Sequence, residues 1–335
     1  MSISPVNEIG QIENDKPDDL FICSTSFEER CTNAVQRLNE NYTARRCLIV
    51  RYLAEDQDGL REKHHGIICN NLYHHIENKK ELTTKFFDKY DPYSSWDSLK
   101  DYCKDFKSLE RITIDITTFT KAYLLNLLGY LRDRFPKAKF RIVYTKGIYS
   151  ENEPLTWGVK NITILPHYGR KWRDKKNSIL VLFLGYEDDR AYGIKEYIDP
   201  FKTIAVIADP PTYMGADKPS KVFNAAILND PETIKINVSA MDPFETKNKL
   251  SELYKSKEHE AFGFFISPLG TKMQVVGVYL FFEEEINPNM GAARAQIVYS
   301  LPAKYNEKKY TVNYEEKQVW EFYMEPKEIY KDGGG

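Results

Sequence analysis

Cysteine is scarce and unevenly placed in this 335-residue chain: there are five, all before position 104. An odd number crowded into one third of the length is no disulfide framework and fits a reducing compartment. Charge of one sign is equally lacking, since 47 Lys and Arg stand against 49 Asp and Glu for a formal net charge of −2. Such a chain has no overall field to hold a long polyanion, so a role on nucleic acid would need a local basic patch. No apolar run approaches the ~20 residues of a membrane-spanning helix, and residues 1–18 hold no signal-peptide core. A cytoplasmic protein without membrane contact is expected. The glycine-bearing signatures are missing too. There is no Gly-x-x-x-x-Gly-Lys-Ser/Thr loop, no Gly-x-Gly-x-x-Gly and no serine-nucleophile elbow. Ordinary P-loop NTPases, dinucleotide oxidoreductases and serine hydrolases are thereby set aside.

What the chain does contain is a pair of stretches that rhyme. ITIDITTFTKAYLLNLLGYL (Ile112–Leu131) and GFFISPLGTKMQVVGVYLFF (Gly263–Phe282) each read as an apolar strand, a small-residue turn ending in Thr-Lys, and an apolar helix. Upstream, LFICSTSFEERCTNAVQRL (Leu20–Leu38) answers ILVLFLGYEDDRAYGIKEYI (Ile179–Ile198), with one extra residue in the second. Downstream, FRIVYT (Phe140–Thr145) answers AQIVYS (Ala295–Ser300). Arg30 and Arg190 are 160 residues apart, Lys121 and Lys272 are 151 apart, and Val143 and Val298 are 155 apart. Three blocks in one order at nearly constant offset point to an internal tandem duplication.

The apolar, β-branched strands separated by helical periods predict an α/β fold. It consists of two tandem Rossmann-like modules with mostly parallel sheets and a short C-terminal β extension. The expected division is a polar tail over 1–18, a first module over 19–150 with a helical insertion at 59–107, and a connecting segment over 151–177. A second module follows over 178–302, then C-terminal strands and a flexible tail over 303–335. A helix is expected from the Ser26–Arg30 turn to about Asn41, helical segments near 81–90 and 95–107, and a hairpin-like tail.

In parallel sheets, ligands meet the loops at the strand C-termini, where helix N-termini offer free N–H groups and a positive dipole end. Lys121 and Lys272 open such helices, with the hydroxyls of Thr117, Thr118, Thr120 and Thr271 and the backbone of Gly270 beside them. They are candidates for holding phosphate or carboxylate oxygens. A first-turn lysine on an exposed helix is otherwise simply solvated. Ser26, Glu28, Glu29 and Arg30, and in the second half Asp188, Asp189 and Arg190, can orient a ligand through ribose hydroxyls and phosphate. The same acids can instead only stabilise a helix start. The loops after Leu53 and at Asp209 fall at the same sheet ends. Asp115, with Glu28 and Glu29, is the candidate for catalysis, or else a helix cap. His64, His65, Cys69, His74 and His75 crowd one helix, and His65 and Cys69 share a face, yet no second pair completes a metal site. No metal and no cofactor are expected. The run YGRKWRDKKN (Tyr168–Asn177) interleaves basic residues with Tyr168 and Trp172, as a nucleic-acid contact would, or as a solvated linker with docked aromatics would.

The strand followed by Asp115-Ile-Thr-Thr-Phe-Thr-Lys121 and a helix resembles the strand–Asp-x-Thr-Gly-Gly-Thr-Lys–helix motif of CRISPR-associated Rossmann-fold sensors. Ser267-Pro-Leu-Gly-Thr-Lys272 is similar. The first stretch departs from the motif in its missing glycine pair, the second in its missing aspartate, and the resemblance covers about ten residues in each half. It implies a pair of modules that binds a cyclic oligonucleotide across a pseudo-symmetric cleft in a prokaryotic antiviral system. The sequence reading is thus an intracellular sensor of a nucleotide or other anionic small molecule, acting through a partner protein. The alternative is an enzyme that cleaves a nucleotide phosphoester or N-glycosidic bond with Asp115 or the Glu28/Glu29 pair.

Overall fold

In the first half of the chain five parallel strands form a sheet: β1 (Leu20–Thr25), β2 (Cys47–Leu53), β3 (Leu82–Asp88), β4 (Arg111–Asp115) and β5 (Lys139–Tyr144). This computed structural model describes residues 1–53, 59–149, 153–170, 177–314 and 318–326. After them come β6 (Thr156–Ile164), β7 (Ser178–Phe183), β8 (Lys202–Ala208), β9 (Thr233–Val238), β10 (Gly263–Pro268), β11 (Ala295–Tyr305) and β12 (Val319–Glu325). The first sheet runs β12-β5-β4-β1-β2-β3 and the second β9-β8-β7-β10-β11-β6. Counted within each half, both have the doubly wound order 3-2-1-4-5, and in both a sixth, antiparallel strand lies beside the fifth; in the first sheet the short N-terminal strands Ser2–Ile3 and Asn7–Ile9 pair on the far side of β12. The fold is α/β with mostly parallel sheets, as the strand-and-helix periodicity predicts.

The principal helices are α1 (Leu60–His75), α2 (Pro92–Cys103), α3 (Lys121–Arg134), α4 (Asp188–Ile198), α5 (Pro243–Lys255) and α6 (Lys272–Phe281). Helix α6 is apolar all round, with every residue from Met273 to Phe281 buried, as befits an element packed on all sides. It meets α3, whose residues from Ala122 to Arg132 are likewise buried, and one continuous apolar core runs through both sheets.

Several expectations change. Residues 82–88 form a strand in place of the expected helix: LTTKFFD is β-branched and aromatic, and it pairs in parallel with β2 from Cys47↔Leu82 to Leu53↔Asp88. The stretch 59–107 is therefore not wholly a helical insertion, because β3 occupies the third-strand place that β9 holds in the other sheet. Helices α2 and α5 both open on Asp-Pro, with Asp91 and Asp242 as N-caps accepting from Tyr93 N and Phe244 N. Those caps are 151 residues apart, the same separation as Lys121 and Lys272.

The helix expected up to Asn41 is only a 3-10 turn (Glu29–Thr32) and one α-turn (Asn33–Gln36). Asn33 is drawn inward, donating to Thr145 Oγ1 at 3.1 Å and to the Gln318 carbonyl at 3.0 Å. The Arg37 carbonyl accepts from Ile12 N at 2.7 Å, which leads the chain out of the helix.

Among the described residues the tail makes no hairpin of its own. Strand β12 crosses back to the first sheet and pairs with β5, Phe322 opposite Ile142. In the opposite direction β6, which follows the first sheet in the chain, joins the second sheet beside β11. Between these exchanged strands Thr311–Tyr314 pairs antiparallel with Gly147–Tyr149.

Candidate anion crevice

Lys121 and Lys272 are the first residues of α3 and α6. Thr120 caps α3, accepting from Tyr123 N at 3.4 Å. Thr271 forms a full capping box, accepting from Gln274 N at 3.2 Å while Gln274 Oε1 accepts from Thr271 N at 3.0 Å. Gly270 makes that box fit, because a Cβ there would lie 2.1 Å from Gln274 Oε1.

Packing of α3 against α6 brings both lysines to one place. Lys121 Nζ donates to the Leu269 carbonyl at 2.5 Å, and Lys272 Nζ donates to the Thr117 carbonyl at 3.2 Å. Each lysine thus reaches into the turn that precedes the other. Lys121 also pairs with Glu187 at 2.9 Å. Gly185 lets the Leu269 carbonyl approach, since a Cβ on it would sit 2.3 Å from that oxygen.

The turns after β1 and β7 carry matching buried pairs. Arg30 pairs with Glu28 at 2.8 Å and donates to the Thr145 carbonyl at 3.0 Å. Arg190 pairs with Glu187 and donates to the Ser300 carbonyl through Nε at 2.8 Å. Thr145 directly follows β5 and Ser300 lies within β11, so each arginine ties its first-strand turn to the fifth strand of its sheet. Both guanidiniums are fully buried and serve these ties.

Two crevices open over the strand ends, and Lys121, Lys272 and Tyr310 line both. The one over the first sheet, about 640 Å³ of partly open space, holds Ser26, Glu28, Thr118, Thr120, Arg61 and Lys89 along with Glu187, Arg190 and Glu307. Among its described lining residues five cations face three carboxylates. The other, about 750 Å³, is walled by Tyr144, Tyr149, Leu155, Leu184, Tyr186 and Ile207 near Gly270 and Thr271, and is far more apolar.

The electrostatics follow from this enclosure. Burial, with Arg30 and Lys121 nearby, pulls the Lys272 ammonium down to about 7 against the opposing pull of Glu28 and Asp115. Among the described residues no carboxylate forms an ion pair with Lys272. Burial also lowers Lys121, partly offset by Glu187. Burial works to raise Glu187, but Arg190 and Lys121 outweigh it and hold the carboxyl below its usual range.

The remaining sequence candidates lie elsewhere. Asp115 is buried beneath the turn, its Oδ1 accepting from Thr117 N at 3.0 Å and from the Thr117 hydroxyl. Desolvation raises its carboxyl to about 6, against the Thr117 hydrogen bonds. Thr117 Oγ1 in turn accepts from Thr145 N at 3.0 Å. Both residues build the turn and line neither crevice. Glu29 and Asp189 are exposed and line neither crevice, and Asp189 accepts from Gly158 N at 3.1 Å. The acids of these two turns that line the first-sheet crevice are Glu28 and Glu187.

His65 Nδ1 meets Thr25 Oγ1 at 3.2 Å, and Cys69 Sγ lies 3.5 Å from His65 Nε2. Tyr168 is fully buried and donates to the Leu125 carbonyl at 2.7 Å, a core anchor. Residues 171–176 of the basic run, the loop 54–58 after Leu53 and the side chain of Asp188 lie outside the described residues, as does the Gly333–Gly335 end. Sequence reasoning named Asp188 and Asp189 and missed their neighbour Glu187, and it also missed Arg61, Lys89, Tyr305, Glu307 and Tyr310. Arg61 and Lys89 come from the stretch taken as an insertion, and Tyr305, Glu307 and Tyr310 from the end of β11 and the crossover to β12, so no motif marked them.

No family model matches the sequence, and no curated protein matches it either. Among solved structures the arrangement is similar to a type III CRISPR defence DNA nuclease activated by cyclic oligoadenylate, with TM-score 0.51 and 8% identity. That similarity covers 84% of this chain and 66% of the nuclease chain, so this protein spans just under two thirds of that length. At this identity the likeness is one of fold. The cytoplasmic domain of a prokaryotic cation chloride cotransporter matches at TM-score 0.25 and 9% identity, over 88% of this chain and 99% of that one. A functionally unknown protein from Pseudomonas aeruginosa PAO1 matches at TM-score 0.23 and 7% identity, over 85% and 93%. Those two share too little of the arrangement to bear on the fold.

Proposed function

We propose that the crevice between the two modules binds a nucleotide-type anion whose phosphoryl oxygens meet Lys121 and Lys272. The chain then acts as a sensor that passes binding to a partner protein, in the manner of a prokaryotic antiviral defence system. The observation that carries the reading is Lys272: an enclosed ammonium beside Arg30 and Lys121 with no ion-pair partner among the described residues. An arriving phosphate supplies the missing counter-charge and accepts from both lysines at once. The matching halves support an origin by tandem duplication, which sets equivalent lysines across one cleft as a two-fold dimer would. The fold shared with a nuclease activated by cyclic oligoadenylate makes a cyclic oligonucleotide the first ligand to try.

An enzymatic reading through Asp115 has less support, because that carboxylate is committed to Thr117 and faces neither crevice. The test is a titration of cyclic oligoadenylates and linear nucleotides against wild type, Lys121→Met, Lys272→Met and the double variant, with turnover followed in parallel. Each charge-assisted contact is worth about 1.5–3 kcal/mol, so each single variant is expected to bind about 10- to 100-fold more weakly, and the double variant more weakly still. Folding should survive, since Glu187 keeps Arg190 when Lys121 is lost. Unchanged affinity in all three variants would return the lysines to a structural role. Product formation that disappears in Asp115→Ala would replace the sensor with an enzyme.

A further inference from the structure

The first-sheet crevice contains a second cationic group besides the paired lysines, and one carboxylate of the crossover segment reaches both of its members. Arg61, on the first turn of α1, donates from Nη2 to Glu307 Oε1 at 2.5 Å, and Lys89, just past β3, lies 3.6 Å from the same oxygen. The two cations are the more enclosed partners: their side chains are 9% and 13% exposed, whereas that of Glu307 is 34% exposed. Lys89 is walled by the rings of Tyr90 and Tyr305, and Arg61 stacks over Phe27. The cations are therefore built into the body of the crevice, and the acid is laid over them from outside.

Glu307 belongs to the segment between β11 and β12 that passes across the crevice. This strap is held by Thr311 donating to Glu28 and by Tyr310 edge-on to Phe27, with ring centroids 5.5 Å apart.

We infer that Arg61 and Lys89 form a second phosphoryl subsite of the crevice, which Glu307 occupies as an internal stand-in until the ligand displaces it. The inference rests on reading the crevice as an anion site and adds to it the class of ligand: one with at least two phosphoryl groups, the first at Lys121 and Lys272, the second at Arg61 and Lys89. A guanidinium presents a planar fork that a phosphoryl group can accept from in two bonds, and a dianionic oxygen set outcompetes a single carboxylate for it. The competition is fair only because the carboxylate is tethered, which gives it an effective concentration of roughly millimolar order. Displacing Glu307 removes one tie of the strap, so binding at this subsite loosens residues 305–311 as it proceeds.

The experiment uses inorganic pyrophosphate as probe, with orthophosphate and adenosine 5′-diphosphate beside it, on the full chain by calorimetry. Glu307→Asp keeps the charge but withdraws the carboxylate by one methylene. It is expected to tighten pyrophosphate binding about threefold or more, and Glu307→Gln about tenfold, with little change for orthophosphate. Arg61→Gln and Lys89→Gln are expected to weaken pyrophosphate by about tenfold each and to leave the thermal midpoint near wild type. Trypsin cleavage within 304–309 should accelerate when pyrophosphate is added. The same gains with adenosine 5′-diphosphate alone would support the subsite and assign it to a nucleotide's phosphates.

Glu307→Asp behaving as wild type while Glu307→Gln gains would reduce the effect to the general field and overturn the inference. So would pyrophosphate binding that ignores Arg61→Gln and Lys89→Gln, or binding of neither pyrophosphate nor adenosine 5′-diphosphate in any variant. In those cases nucleotide binding that depends on Lys121 and Lys272 would leave the anion crevice standing without its second subsite.

Discussion

Lys272 is the single residue on which the proposed function rests most heavily. Its unfolded value is the ordinary 10.5, whereas burial beside Arg30 lowers it to about 7 in the folded protein. Between those two values the unfolded chain holds more protons, so the contribution of Lys272 to stability rises as pH climbs from about 7 toward 10.5. Below about 7 both states are protonated and the full cost of enclosing the charge remains. Asp115 has the reverse effect in a lower window. Desolvation raises its carboxyl from 3.8 to about 6, so the folded state holds the extra proton there and stability falls as pH rises through that range. Urea midpoints measured at about pH 7 and about pH 10 should therefore rise for wild type, and Lys272→Met should flatten the rise. Anion affinity should follow the opposite course and weaken as pH climbs above about 7, because the free ammonium is being lost. An affinity that stays level from about pH 7 to about pH 9 would remove Lys272 from the binding step.

At the scale of elements, two glycines separate packing from function. Gly277 lies where α6 crosses α5, and a Cβ on it would meet Thr246 Cβ at 2.4 Å and the Pro243 carbonyl at 2.5 Å. Gly277→Ala is expected to destabilise the fold by roughly 1–3 kcal/mol through overpacking, with anion affinity of the folded fraction unchanged. Gly185→Ala acts at the crevice instead. It pushes on the Leu269 carbonyl that holds Lys121, so both the denaturant midpoint and the anion affinity should fall. Equal effects of the two substitutions on affinity would mean that the Leu269 turn does not position Lys121. The cap of α6 belongs to the same test, since Thr271→Ala removes the capping box at a cost of about 1 kcal/mol in the same unfolding measurement.

Over the whole molecule the decisive feature is the exchange of outer strands. Strand β6 leaves the first half to close the second sheet, and β12 returns from the second half to close the first, burying Phe322 and Met324. Each half alone would expose an unpaired sheet edge and part of the shared core. A chain divided within residues 171–176, between β6 and β7, should therefore yield two fragments that are insoluble or largely unfolded when expressed singly and that associate when expressed together. Circular dichroism and co-purification would read this out. Fragment 1–170 folding alone as a stable monomer would refute the mutual dependence of the halves. The exchanged segments flank the Gly147–Tyr149 and Thr311–Tyr314 ribbon and the strap over Arg61 and Lys89.

The α/β fold and the lysine turns were legible in the sequence because they depend on local chemistry. Buried parallel strands need unbroken apolar runs such as LFICST and SILVLF, and a helix start needs a hydroxyl cap such as Thr120 or Thr271 just before it. Strand β3 was not legible, because LTTKFFD sits at a sheet edge, half exposed, where periodicity weakens and neighbours decide the conformation. Nor could spacing show which of two adjacent acids faces the ligand. Glu28 and Glu187 turn inward because Arg30 is anchored on Thr145 just past β5 and Arg190 on Ser300 within β11, contacts made across more than 100 residues. The separation of lysines as solvated or enclosed also came only with the packing of α3 on α6, which places each ammonium on the other's turn. Residues that act through their own helix or strand were written in the chain. The pairing of Arg61 and Lys89 with Glu307 depends on where a crossover segment lies, and only the assembled sheets determine that.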